Sequence, residues 1–229
     1  MSNTIASLAF CVSLMIYSAT LGTTRPQESN EIAPLDRVMS TFEMRDATVE
    51  EAVGHILVSN HLSGGMALSF GCADDAGPVE AKHFFNLSGL PVRHALNQIL
   101  SNDRSYRWVE ENKAIIVYPV RGMPELLKAK VDHFEIDSPK YTLSSASGDL
   151  LRTPEIKKRA IELDLKRGVQ YIVGAVDSRE RLSSKISVNN VTMYEALNAI
   201  AMANGSTVWR YSEYRCGKVN ELSITWIVR

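Results

Sequence analysis

The side chains of this 229-residue chain that could by type move protons or hold a metal are few and scattered. Histidines stand at 55, 61, 83, 94 and 133 with no His-x-x-x-His spacing, and cysteines at 11, 72 and 216 form no Cys-x-x-Cys. A metal site would need ligands gathered from distant segments, so no metal is expected. Asp74-Asp75, within Gly71–Pro78, offers two carboxylates for acid–base work or for a cation. Adjacent side chains point apart, however, and nothing beside them supplies further ligands. Neither a Gly-x-Ser-x-Gly elbow nor a Gly-x-x-x-x-Gly-Lys phosphate loop occurs. The expectation is a protein with no catalytic residue and no cofactor. The enzyme alternative places Asp74, Asp75 or His83 in a cleft between two halves.

Charge excludes another class. With 25 basic and 26 acidic residues the net charge is −1, which gives no global field to draw in nucleic acid. Lys157-Lys158-Arg159 and Lys166-Arg167 are interleaved with Glu155, Glu162 and Asp164, the pattern of a solvated helix face. Asn86-Leu-Ser88, Asn190-Val-Thr192 and Asn204-Gly-Ser206 fit the glycosylation acceptor pattern, but turn and cap chemistry explains each equally well.

The strongest organising signal is a duplication. Phe85–Ile99 running on to Trp108 aligns without a gap with Ile186–Ile200 running on to Trp209, sharing Ala95/Ala196, Leu96/Leu197, Asn97/Asn198, Ile99/Ile200, Ser105/Ser206 and Trp108/Trp209. Val92, Ala95, Leu96, Ile99 and Leu100, and their counterparts Met193 to Ala201, fall at i, i+3, i+4, i+7 and i+8, so each copy holds a helix with one buried face. Thr192 and Glu195 form a capping box, and Pro91 starts the first helix at the aligned position. Trp108 and Trp209 read as packing anchors of the strands that follow.

Around this unit, a strand near Ser40–Met44, a helix capped by Thr48 and Glu51 and ending near Asn60, and strands at Met66–Phe70 and Lys82–Leu87 precede the first copy. Tyr106–Glu110 and Ala114–Tyr118 flank a short turn. In the second half Phe134-Glu-Ile136 parallels Phe42-Glu-Met44. Pro154 begins a fresh helix after Leu150-Leu151, giving two short helices or one kinked one. Strands are expected at Gln170–Val173, Lys185–Val188, Thr207–Tyr211 and Leu222–Ile227, the last two joined by a longer loop with Cys216 and Gly217. The fold class is α+β: two tandem domains, 39–120 and 130–229, each a small mixed sheet packed by two helices (β-α-β-β-α-β-β) and joined by a linker over 121–129.

Residues 1–22 carry no charge and are mostly apolar, as in a signal peptide, or an anchor if uncleaved, with a polar linker over 23–38. Periplasmic or secreted localisation follows, with membrane contact only through that segment. Removal of the segment leaves Cys72 and Cys216, which in an oxidising compartment form a disulfide or stand as independent thiols; both readings remain open.

Phe42-Glu-Met44, Thr48–Val53, Phe85–Leu100, Tyr106-Arg-Trp108 and Ile115–Pro119 resemble the secretin and TonB short N-terminal domain. The resemblance covers most of Phe42–Pro119 and, in the second half, Ile186–Trp226. It implies a periplasmic module that makes protein–protein contacts ahead of an outer-membrane channel or receptor, neither of which follows in these 229 residues. The expected function is an exported, non-catalytic interaction module with an envelope protein as partner. Candidate partner-binding edge strands lie near Phe42 and Phe134 or in the closing hairpins. A ring-forming homo-oligomeric subunit is the structural alternative.

Overall fold

The computed structural model describes residues 33–70, 81–137, 141–168 and 185–228. The first copy comprises β1 (Glu43–Ala47), α1 (Val49–Ser59), β2 (Gly64–Phe70), β3 (His83–Asn86), α2 (Val92–Leu100), β4 (Tyr106–Glu111) and β5 (Ala114–Pro119). The second comprises β6 (Lys130–Ile136), α3 (Leu143–Leu150), α4 (Pro154–Glu162), β7 (Lys166–Arg167), β8 (Ile186–Thr192), α5 (Met193–Asn204), β9 (Val208–Cys216) and β10 (Val219–Ile227).

Local chemistry sets the element boundaries. Thr48 accepts from the Glu51 N–H while the Glu51 carboxylate accepts from the Thr48 N–H, and Thr192 with Glu195 repeats the arrangement. Thr142 with Ser145 closes a third such box, hidden in the sequence because serine stands where Glu or Gln is usual. Pro91 caps α2 and Pro154 opens α4, so the interruption after Leu151 divides two short helices. Asn112 and Lys113 both take positive φ, 51° and 68°, the geometry that turns β4 tightly into β5.

The two halves share one sheet. Six strands run in the order β4-β5-β2-β9-β10-β7, while β1 pairs with β3 and β6 pairs with β8 in separate two-stranded ladders. The copies meet where β2 joins β9 in parallel over seven residue pairs, from Gly64 opposite Val208 to Phe70 opposite Tyr214. Residues 32–229 accordingly form one compact unit, in place of two domains that each own a sheet. The expected linker over 121–129 belongs to the core. Leu126 and Leu127 are fully buried, and the Leu127 and Ala129 carbonyls accept from the Tyr194 and Met193 N–H groups.

Strand alternation divides the core between the two faces of this sheet. Met66, Leu68, Ile115, Val117 and Val208 point to the face covered by α1 and α2, among Val53, Ile56, Leu57, Leu96 and Ile99. Ala67, Ile116, Trp209, Tyr211 and Ile224 point to the opposite face, among Leu143, Leu150, Met193, Leu197 and Ile200 of α3 and α5. The copies thus place their helices on opposite sides of a common sheet. Each fully buried Leu or Ile contributes roughly 1.5–3 kcal/mol, so both layers are driven mainly by apolar burial.

The final hairpin is tighter than expected. β9 extends through Cys216, which pairs with Val219, leaving only Gly217 and Lys218 in the turn. Gly217 takes φ 57°, a conformation that costs glycine little.

Candidate interaction surface

The duplication preserves a side-chain pair as well as a packing pattern. Trp209 on β9 donates its indole N–H to Asn198 Oδ1 on α5 at 2.7 Å, and Trp108 on β4 donates to Asn97 Oδ1 on α2 at 2.8 Å. The two environments differ sharply. Trp209 is 0 % exposed and Asn198 8 %, whereas Trp108 is only half-buried and Asn97 is exposed. β9 lies between β2 and β10, while β4 pairs with β5 alone among the described residues. Arg93 on α2 stands 5.9 Å from the centroid of the Trp108 ring and bonds Asp36 at 3.3 Å.

At the junction of the copies, Gly65 lies directly under the Trp209 indole. A Cβ there would come within 1.7 Å of Cε2, and one at Gly64 would come within 2.0 Å of the Ile115 carbonyl oxygen. The consecutive glycines let β2 sit flush between β5 and β9. Beside the junction, Arg210 of β9 reaches Glu50 of α1 at 2.6 Å, an ion pair whose Nε–H is not aligned for a hydrogen bond.

A groove of about 870 Å³ opens near this ion pair, lined by Met44, His55, Val58, Trp226 and Ile227 among others. A smaller cavity of about 140 Å³ in the first copy is lined by Val53, Met66, Leu68, Tyr106 and Val117, with His83 and Asp103 among its polar members.

The histidines do not converge. His55 packs edge-on against Phe42 at 5.5 Å, His61 lies 3.4 Å from Ser206 Oγ, and His83 lies 5.7 Å from the Phe85 ring. His94 is exposed on α2, and His133 pairs with Asn189 at 2.7 Å. Asp74 and Asp75 lie outside the described residues. Among the described residues, no three of His, Cys, Asp and Glu are grouped to hold a metal ion. Arg159 of the basic stretch bonds Glu162 at 3.0 Å and approaches Glu125 at 3.6 Å. Asn190 takes φ 50° inside β8, and the Asn204 amide at the end of α5 donates to Thr207 Oγ1.

Phe42 and Phe134 are core side chains, 5 % and 4 % exposed. Their neighbourhoods retain open backbone, because β1 pairs only with β3 and β6 only with β8 among the described residues. Cys216 is disulfide-bonded, while Cys72 and Cys11 lie outside the described residues, as does the apolar segment 1–22. No helix among the described residues is long and apolar enough to cross a membrane.

Tyr211 and Glu213 form a buried polar pair on β9, with the phenol donating to Glu213 Oε1 at 2.6 Å and Arg215 Nε donating to Oε2 at 3.3 Å. Burial, followed by the Glu213 charge, pushes the Tyr211 phenol well above its ordinary value. In the sequence the pair leaves only a Tyr-x-Glu-x-Arg alternation on one strand face, a pattern too common to single it out.

Compared with known proteins, the chain matches no family model, no curated protein and no solved structure. The fold is α+β, with ten strands and five α-helices among the described residues.

Proposed function

We propose that the chain is an exported, non-catalytic protein–protein interaction module of a bacterial envelope, with an envelope protein as its partner. The observation that carries this reading is the β2–β9 ladder: two copies of one unit are joined by strand-edge addition, and an equivalent edge, β4, stands at one end of the sheet. Backbone donors and acceptors along an edge bind an extended segment with little regard to its side chains, and flanking pockets add selectivity. The uncharged segment 1–22 supports export as a signal peptide or anchor.

In-cell cross-linking of the tagged full-length protein, with mass spectrometry of the captured partners and of the mature N-terminus, tests this. Capture of an envelope protein is the expected result. Recovery only of cytoplasmic proteins, with Met1 intact, refutes it. A second reading, a subunit that assembles with its own copies, draws on the unlike strands β4 and β7 at the two ends of the sheet. Light scattering of the purified chain separates the two, since only the second expects a defined oligomer.

A further inference from the structure

The two Trp–Asn pairs share one arrangement, but among the described residues β9 has a strand on each side and β4 on one side only. In the second copy β2 adds in parallel to β9 with Gly65 opposite Trp209, whose indole lies across the glycine. Ala67 follows on the same face opposite Tyr211, so the incoming strand carries small residues where the receiving strand carries large aromatic ones. In the first copy β4 pairs with β5 as β9 pairs with β10, Trp108 opposite Val117 and Trp209 opposite Trp226. The Trp108 indole is held by Asn97 in the same way. Among the described residues no strand lies on that side of β4.

Resting on the interaction-module reading above, we infer that the free edge of β4 is a docking site for an extended segment of a partner protein that carries glycine opposite Trp108. The segment adds parallel to β4 in the register that β2 uses on β9. It then places its glycine against Trp108, the preceding residue opposite Arg107 and the following one opposite Val109. The residue two positions after the glycine falls opposite Glu110, which is exposed and sets no demand for a small side chain there. A bulky residue at the glycine position meets the indole as a Cβ at Gly65 would meet Trp209. The occupant is a partner's segment because the β2 strand of a second copy is already engaged by its own β9. The surface continues an interface already built into the fold, since β4 belongs to the same six-stranded sheet.

The probe is a fluorescent peptide with the sequence of β2, Gly-Gly-Met-Ala-Leu-Ser-Phe, between polar end residues, titrated into the purified full-length chain. Saturable binding is expected, weakened about tenfold or more when valine replaces the second glycine of the peptide. Trp108→Ala and, separately, the surface change Asn97→Ala should each weaken binding of the unmodified peptide. The peptide change leaves the protein untouched, so a folding defect cannot imitate its effect. No binding, equal binding of the valine peptide, or binding indifferent to Trp108→Ala and Asn97→Ala overturns the site; the last result would indicate exchange with β2 on β9. Concentration-dependent self-association that Asn97→Ala abolishes overturns the assignment of the occupant. If the unaltered chain fails to bind the peptide while cross-linking still captures an envelope partner, and captures it equally from the Asn97→Ala protein, the β4 site is rejected and the interaction-module reading survives. Failure of the unaltered chain in both assays rejects both.

Discussion

Gly65 and Trp209 meet so closely that a Cβ on Gly65 would sit 1.7 Å from the indole Cε2. The indole is also held from behind by Asn198 and is fully buried, so it has little room to withdraw. This contact seals the junction between the two copies.

Gly65→Ala should therefore lower stability by about 2 kcal/mol or more, as overpacking of a confined core site does. Gly54→Ala makes the contrast. Its Cβ would crowd the Cδ1 tip of Ile227, at 2.5 Å, which can rotate away, and would meet Met66 Cε at an ordinary 3.5 Å, while a helix interior gains up to about 1 kcal/mol from alanine over glycine. Urea midpoints of the two variants should separate clearly; equal midpoints would refute the confined-site account.

The two asparagines should differ in the same measurement. Asn198→Ala strands the buried Trp209 N–H and should cost about 1–3 kcal/mol. Asn97→Ala leaves the half-buried Trp108 N–H within reach of water, and a change within about 0.5 kcal/mol is expected, as for ordinary surface positions. A large loss from Asn97→Ala in the purified chain would mean that the first pair is structural.

Alkaline pH should destabilise the protein through Tyr211. Its folded-state pKa is raised, first by burial and then by Glu213, so the folded chain holds the phenolic proton more tightly than the unfolded chain. That contribution is complete below the unfolded tyrosine pKa of about 10 and is lost as pH rises from there toward the folded value. Urea melts between pH 8 and 11 (on the scale set by that value, about one unit above and two below) should show a steeper decline for the native chain than for Tyr211→Phe. Parallel declines would remove Tyr211 as the cause.

Cys216 should be linked to Cys72. The last pair of the β2–β9 ladder is Phe70 with Tyr214, and Cys72 and Cys216 each stand two residues further along the sequence. Neighbouring strands lie about 4.8 Å apart, which suits a disulfide between facing residues. Peptide mapping without reductant should recover a 72–216 cross-link, and reduction should cost about 2–4 kcal/mol. A link from Cys216 to Cys11, or two free thiols in the exported protein, would refute the pairing.

Several elements can be read from residues alone because their determinants are local. The Thr48–Glu51 and Thr192–Glu195 boxes, Pro91, Pro154 and the apolar spacing of the duplicated helices act within one or two turns, and those helices stand where they are expected. The Trp–Asn pair also leaves a sequence trace, since both residues recur in the alignment at a separation of 11 in each copy. What that trace omits is the difference between the copies.

The sequence by itself determined the α+β class, the duplication, and which face of each helix is apolar. Tertiary structure alone decided that the copies share one sheet, that Leu126 and Leu127 are core, and that Trp209 is covered while Trp108 is not. The physical reason is that strand partners are chosen by contacts between residues far apart in the chain, here 144 positions from Gly65 to Trp209 (209 − 65). No local propensity distinguishes β2 paired to β9 from β2 left at an edge. Gly65 reads as a turn or a flaw in a strand until the indole that requires it is in place.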